Sequence, residues 1–227
     1  MPFSFDPQEH PPVTVDRHLP AVTAGDLQAD SLRQRFRAPP SWAPEVVPEN
    51  RINDRTPARA SVLVPLIQRD ELTVLLTQRT AHLTDHPGQI SFPGGRAEPE
   101  DVNEVATALR EAHEEIGLAP EFVDVLGQLP AYPTGTGFIV TPVVALVRPG
   151  FSIEIDPFEV AEAFEVPLAF LMDPSNHRWH AAEVGGQRRE FLSMPWNGTG
   201  SDGHPRLYFV WGATAAMLRN LYRFLVA

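Results

Sequence analysis

From Ala60 onward the chain alternates between short apolar runs and polar punctuation. Ser61 to Ile67 is nearly continuous apolar sequence and reads as a buried strand. Gln68-Arg69-Asp70-Glu71 is a polar turn, and Leu72 to Thr77 reads as the return strand of a hairpin. A Gly/Pro-rich loop follows from Pro87 to Gly95. The period then changes. Val105, Ala108, Leu109, Ala112 and Ile116 recur at the spacing of one helical face, so a helix is predicted over 103–116. Gly117 is placed to end it in a left-handed conformation. Residues 122–129 and 138–148 read as strands. Pro142 inside the second predicts an edge or a bulge, because proline has no N–H to give a ladder. A short helix is expected over 167–172 and strands over 178–184 and 206–211. A closing amphipathic helix is expected over 214–226, carrying Met217, Leu218, Leu221 and Leu225 on its apolar side. Strands and helices are interspersed without a βαβ rhythm. The expected class is α+β, a mixed sheet packed between helices.

The first 57 residues have a different texture. Ten of the 24 prolines fall there. Proline fixes its own φ and restricts the residue before it, so little regular structure is expected. One helix fits, capped by Asp26 and reaching Arg37, with Leu27, Leu32 and Phe36 partly on one side. Pro39-Pro40 would stop it. The organisation read from this is an arm over residues 1–57 and a domain over residues 58–227.

Composition narrows the chemistry. The net charge is −11, which disfavours nucleic acid and anionic membranes as partners. There is no cysteine, which excludes disulfides, thiolate nucleophiles and Cys-ligated zinc. No apolar stretch is long enough for a membrane helix, and the N-terminus lacks the basic and apolar regions of a secretory signal. A cytoplasmic location is the expectation.

One helical turn carries an unfavourable charge arrangement. Glu111, Glu114 and Glu115 share an arc about 100° wide on the helical wheel. They sit in the last turn, against the negative end of the helix dipole, at a cost of ~0.3–1 kcal/mol each. Arg110 relieves part of this through Glu114. A divalent cation would supply the rest, and all-oxygen ligation suits magnesium or manganese. A solvated acidic face has the same spacing. Two neighbours favour a site. Gly94-Gly95 lets backbone approach an anionic ligand, and Arg110 stands beside the carboxylates as an orienting ion pair would.

The segment from Gly94-Gly95 through Arg110-Glu111-Ala112-His113-Glu114-Glu115-Ile116-Gly117-Leu118 resembles the Nudix box, G-x5-E-x7-R-E-U-x-E-E-x-G-U. The first half departs from it by one extra residue. Counted from Gly95, Asp101 takes the place of the first Glu; counted back from Arg110, Val102 does. The same extra residue is familiar in the coenzyme A pyrophosphatase branch. That branch also has an upstream pattern similar to Leu75-Leu76-Thr77-Gln78-Arg79 and His86-Pro87-Gly88-Gln89-Ile90-Ser91-Phe92-Pro93-Gly94-Gly95. Thr84 stands where the branch usually has arginine.

The resemblance implies a Nudix-type α/β/α sandwich and metal-dependent hydrolysis of the pyrophosphate of coenzyme A or its thioesters. The products would be 3′,5′-ADP and 4′-phosphopantetheine or its acyl derivative. It implies Glu111 and Glu115 as ligands of Mg2+ or Mn2+, with Glu114 as a further ligand or a base, and Arg110 as their orienter. Arg79, His86, Gly94 and Gly95 are the expected substrate contacts. Glu159 is read either as a distal carboxylate of the site or as surface, within a possible helix face of Asp156, Glu159, Glu162 and Glu165. Phe92 is read as core packing. His177 and His180 carry little metal signal, since no carboxylate follows at ligand spacing. Two alternatives stand: hydrolysis of another diphosphate such as ADP-ribose or a dinucleotide, and a non-catalytic nucleotide-binding module.

Overall fold

The computed structural model describes residues 6–45, 57–83, 87–184 and 186–227. The proline-rich arm contributes one short strand, β1 (Pro12–Val15), and one helix, α1 (Ala29–Arg37). Asp26 does not cap α1. The helix starts after Gln28 without a side-chain cap, and Asp26 is too far back to reach the first free N–H groups. It closes the preceding turn instead, accepting from Thr23 Oγ1 at 2.6 Å while its own N–H donates to that hydroxyl at 3.3 Å. The apolar side is as expected: Leu27 and Leu32 are buried, and Phe36 packs on Phe224 with ring centroids 4.7 Å apart.

The main sheet is built on β2 (Ala58–Ile67) and β3 (Thr73–Arg79). They form the predicted hairpin, but only Leu66 and Ile67 pair with Val74 and Thr73. Below that the strands diverge. The Gly/Pro-rich segment fills the fork with two very short strands: β4 (Ile90–Ser91) pairs with β3, and β5 (Gly94–Arg96) pairs with β2. Helix α2 (Glu104–Ile116) follows, capped by Asn103, whose side chain accepts from Ala106 N–H at 2.9 Å. Gly117 ends it at φ 68°, as the left-handed cap requires.

Next come β6 (Val123–Gln128), β7 (Tyr132–Pro133) and β8 (Phe138–Val147). Strand β8 runs parallel to β2 along its whole length and antiparallel to β6 and β7 on its other edge. Pro142 therefore lies in a central strand, not at an edge. It is tolerated because β6 stops pairing at Val143 and β7 starts at Val140, so its missing N–H falls in the gap. Its carbonyl still accepts from Leu129 N–H at 3.0 Å.

Strand β9 (Val160–Pro167) pairs with β3 along its outer edge. The helix-face alternative for this acidic segment is overturned. Val160, Glu162, Phe164 and Val166 are buried in strict alternation, a period of two. Glu162 tolerates burial because it accepts from Ser201 N–H and Arg206 Nη1, both at 2.6 Å. Helix α3 (Leu168–Leu171) follows at its predicted place.

A second sheet was not expected. It has the order β1, β10 (Arg178–Val184), β11 (Gln187–Thr199), β12 (Pro205–Trp211). The sequence reading found β10 and β12 but not β11, which contains Pro195 and Gly198. Strand β11 pairs with β10 only up to Ser193 and with β12 only from there on. Pro195 thus has one ladder to serve, not two.

The closing helix is α4 (Gly212–Val226). Helix α2 covers one face of the main sheet, packing Ala108, Ala112 and Ile116 on Leu63, Ile67, Leu75, Val143 and Ala145. The other face buries Val64, Leu66, Val74, Leu76, Val144 and Leu146 with Leu218, Leu221 and Leu225 of α4 and with Met194 and Val210 of the second sheet. Each such side chain contributes roughly 1.5–3 kcal/mol of transfer free energy. The class is the expected α+β, with helices on both faces of a mixed sheet. Among the described residues no helix is long and apolar enough to cross a membrane.

The arm is fastened to α4 by a buried cation. Arg219 Nε donates to Glu45 at 2.7 Å, Nη2 lies 3.1 Å from Asp16, and Nη1 donates to His177 Nδ1 at 2.9 Å. Trp179 Nε1 adds a bond to Asp16 at 2.9 Å. His177 is therefore a neutral structural ring, with Nε2–H donating to Leu171 O at 2.8 Å. Burial, helped by Arg219, pushes its pKa down from 6.5 to about 4. The folded state resists this proton, so stability is full above pH 6.5 and falls as the pH drops toward about 4. The loss over that window is about 3 kcal/mol. Thermal melting between pH 4 and 7 checks it, and His177→Gln should lack this step. A flat profile for the unsubstituted protein would refute the assignment. His180 is likewise engaged, with Ser193 Oγ and His10 O each at 2.7 Å.

Candidate active site

The fork between β2 and β3 sets the site. Gly94 has φ 152°, and a Cβ there would lie 2.5 Å from the Ser61 carbonyl oxygen of β2. Only glycine lets the chain pass so close to the strand. Its N–H points at α2 and donates to Glu115 at 3.2 Å. Gly95 leaves the room that Glu111 occupies. A Cβ on Gly95 would sit 2.5 Å from Glu111 Oε2. The two glycines are thus the places where two glutamates of α2 reach the sheet. Gly95→Ala is expected to push Glu111 aside, lowering turnover about tenfold or more while the fold persists. Turnover against magnesium concentration, with circular dichroism alongside, checks this; unchanged turnover would refute it.

Arg110 is the hub of the carboxylates. Nε and Nη2 donate to Asp101 at 3.0 and 2.8 Å, a bidentate pair. Nη1 donates to Glu111 at 3.0 Å and Glu114 at 2.8 Å, and Nη2 also reaches Arg96 O at 3.1 Å. Asp101 is held well below the usual carboxylate range, first by Arg110 and then by Glu98 N–H. Arg110 is raised in turn, chiefly by Asp101. This decides between the two ways of counting. Asp101 takes the position of the first acidic residue, and Val102 is 86% exposed.

Glu115 is buried, and burial pushes its pKa up to about 8, with Glu111 and Glu159 adding like charge. Glu111 is raised mainly by burial, against the pull of Arg110, and Glu114 and Glu159 raise it further. Glu114 has a 58% exposed side chain and faces solvent beside Arg110. Arg79, at the end of β3, places Nη1 3.9 Å from Glu115 Oε1. The next residue, Thr80, donates its N–H to Glu159 O at 2.9 Å. Asp156 N–H donates to Glu115 O at 2.9 Å. These bonds dock the loop before β9 beside α2, and Glu159 acts on both glutamates from there. Glu159 itself is half-buried.

Gly94, Gly95, Arg79, Arg110, Glu111, Glu114 and Glu115 are therefore neighbours. His86 and Thr84 lie outside the described residues. Phe92 is core packing, as expected. Sequence reasoning left the role of Asp101 open and Glu159 between two readings. The count from Gly95 was the signal for Asp101. For Glu159 there was none, because a lone carboxylate in an acidic stretch has no spacing to mark it.

The donor set fits a hard divalent cation. Partly buried oxygens of like charge, with raised pKa values, gain their ionised form when such a cation binds. Among the described residues no three His, Asp or Glu side chains already enclose an ion. As they stand, Glu111 is turned to Arg110 and Glu115 to Gly94.

Residues 57–184 match the NUDIX domain. The chain belongs to the Nudix family. It is 39% identical over 200 residues to the uncharacterised Nudix hydrolase NudL of Enterobacter sp. strain 638, covering 86% of this chain and 94% of that protein. The similarly named protein of Cronobacter sakazakii is 42% identical over 166 residues, 72% of this chain and 80% of its own length. Among solved structures, the Nudix hydrolase RenU of M. smegmatis aligns with 56% of this chain and 80% of its own, at 24% identity and a TM-score of 0.44. The protein is a Nudix hydrolase, and enzymes of this family generally use divalent metal cations.

Proposed function

We propose that this Nudix hydrolase cleaves the pyrophosphate bond of coenzyme A or its thioesters, releasing 3′,5′-ADP and 4′-phosphopantetheine or the acyl form. The observation that carries the reading is the junction of two motifs. Leu75 to Arg79 lies in β3, Gln89 to Gly95 fills the fork, and both end against the glutamates of α2, with Arg79 3.9 Å from Glu115. The upstream pattern similar to the coenzyme A branch thereby stands beside the glutamates of the box, which supports the reading. Residues 58–227 are the catalytic domain in this reading, acting in the cytoplasm on a small molecule.

Glu111 and Glu115 are the residues that hold Mg2+ or Mn2+, with Glu114 or Glu159 completing the set. The bound cation supplies charge neutralisation at the pyrophosphate and acidifies water. The protein's own part is positioning. Asp101 fixes Arg110, and Arg110 fixes Glu111 and Glu114 in turn. Arg79 presents its guanidinium to a pyrophosphate oxygen, and His86 serves the same anion. Gly94 and Gly95 keep the approach free of side chains. Glu114 has solvent access and accepts the proton of the attacking water. Glu159 is its competitor for that role, and Glu114→Gln and Glu159→Gln measured side by side separate them.

The test is mass spectrometry of coenzyme A incubated with the protein and magnesium, beside ADP-ribose and NADH. Formation of 3′,5′-ADP and 4′-phosphopantetheine faster than turnover of either control is expected. Cleavage of a control without cleavage of coenzyme A would overturn the substrate and keep the family chemistry.

A further inference from the structure

One large concavity has no part in the chemistry above. A cleft of about 540 Å³ opens between the arm and the catalytic body, within the range of roughly 300–1,000 Å³ usual for small-molecule sites. Phe36 and Trp42 of the arm and Phe224 of α4 form an aromatic wall. Ala131, between β6 and β7, borders it, and Thr141 and Glu104 close it toward the sheet and α2.

Its place relative to the glutamates is set by strand register. Thr141 pairs with Ser61, and Ser61 pairs with Gly95. Gly95 in turn lies against Glu111. Two strand spacings are about 10 Å. Along α2, Glu104 and Glu111 are also about 10 Å apart. The cleft thus begins within reach of an extended substrate whose pyrophosphate sits at Glu111 and Glu115.

The two sides of the glutamates differ in charge. On the β3 side stands Arg79. Among the described residues, the only charged one lining the β8 side is Glu104, with exposed Arg59 Nη1 at 3.5 Å. Its described residues offer a phosphate no cationic cradle, and its aromatic wall favours neutral, partly apolar groups. A coenzyme has one end of each kind, a nucleotide bearing an extra phosphate and an uncharged arm of amides and methylenes.

We propose that this cleft binds the neutral pantetheine or acyl-pantetheine arm of the substrate, and that the N-terminal arm of the protein builds its outer wall. The inference rests on the coenzyme A reading and adds the direction in which the substrate lies. The wall is held in place. The Phe36 and Trp42 rings lie 4.7 and 5.4 Å from that of Phe224. Arg35 Nη2 donates to Leu225 O at 2.6 Å, and Arg219 secures Glu45, three residues after Trp42.

The test fills the cleft from its exposed rim. Ala131→Trp and, separately, Gln128→Trp add bulk without removing a buried contact. Inhibition by the two products is measured for each variant, after coenzyme A cleavage by the unsubstituted protein. Both variants should raise the inhibition constant of 4′-phosphopantetheine about tenfold or more, the scale of one or two displaced methylenes. Inhibition by 3′,5′-ADP should stay unchanged, which also reports an intact fold. If the unsubstituted protein cleaves coenzyme A and neither variant alters inhibition by 4′-phosphopantetheine, the cleft assignment is wrong. Weakened inhibition by 3′,5′-ADP instead would reverse the direction and overturn it. Failure of the unsubstituted protein to cleave coenzyme A overturns the substrate reading first and this inference with it.

Discussion

Glu115→Gln is expected to lose turnover by about 10²–10³-fold while becoming more stable in the absence of metal. Both effects follow from the burial of one carboxylate. Its pKa is about 8 in the folded protein, against an ordinary 4.5. A raised carboxylate pKa means the folded state prefers the protonated form. Its stability is therefore full below pH 4.5 and declines as the pH rises toward about 8. At pH 7 that penalty is about 3 kcal/mol. Glutamine has the shape of the protonated acid, and its carbonyl oxygen still accepts from Gly94 N–H, so it escapes the penalty. It also cannot supply a charged ligand. Thermal melting in chelator should place the variant above the unsubstituted protein at pH 7. Saturating magnesium should raise the melting temperature of the unsubstituted protein by mass action and leave the variant unmoved. Equal response of both proteins to magnesium would remove Glu115 from the ligand set.

Asp101→Asn should damage the site from behind. It leaves Arg110 with two acceptors that belong to the site, Glu111 and Glu114, and takes away its bidentate partner. A charge-assisted hydrogen bond is worth about 1.5–3 kcal/mol, and Arg110 is partly solvated, so the lower part of that range is expected in chemical denaturation. The guanidinium is then held by Arg96 O, Glu111 and Glu114 without the fork that set its plane, and Glu111 loses part of its bearing. Turnover should fall about tenfold or more, with a higher magnesium requirement. Arg110→Lys should resemble it, because an ammonium cannot form the planar fork. The double variant should be little worse than either single one, since both break the same pair. Additive losses would show that Asp101 acts on something other than Arg110.

Helix α2 was legible because its information is local. The apolar stripe, Gly117 and the adjacent Arg110 and glutamates all lie within one stretch of chain, and helical spacing alone places them. The pairing partners were not legible. Strands β4 and β5 are two and three residues long, below any periodic signal. Strand β9 hid behind Glu162, whose burial depends on Arg206, far along the chain. Strand β11 hid behind Pro195, harmless only because its two ladders are consecutive. In the arm, four residues of strand were masked by the prolines around them.

The sequence by itself determined that these carboxylates, their arginine and the two glycines come together, because residues that share one turn or one tight loop meet whatever the rest of the chain does. The tertiary structure decided what those groups are. Glu115 is buried and its pKa is pushed up to about 8 because β2, β5 and the loop before β9 exclude water from it. Asp101 rather than Val102 serves Arg110 because the backbone after Gly95 turns the one inward and the other out. The proline-rich arm became the wall of a cleft because Arg219, nearly two hundred residues on, gives its carboxylates a buried cation to pair with. Burial and pairing are properties of distant segments brought together, and they set the charge on each group.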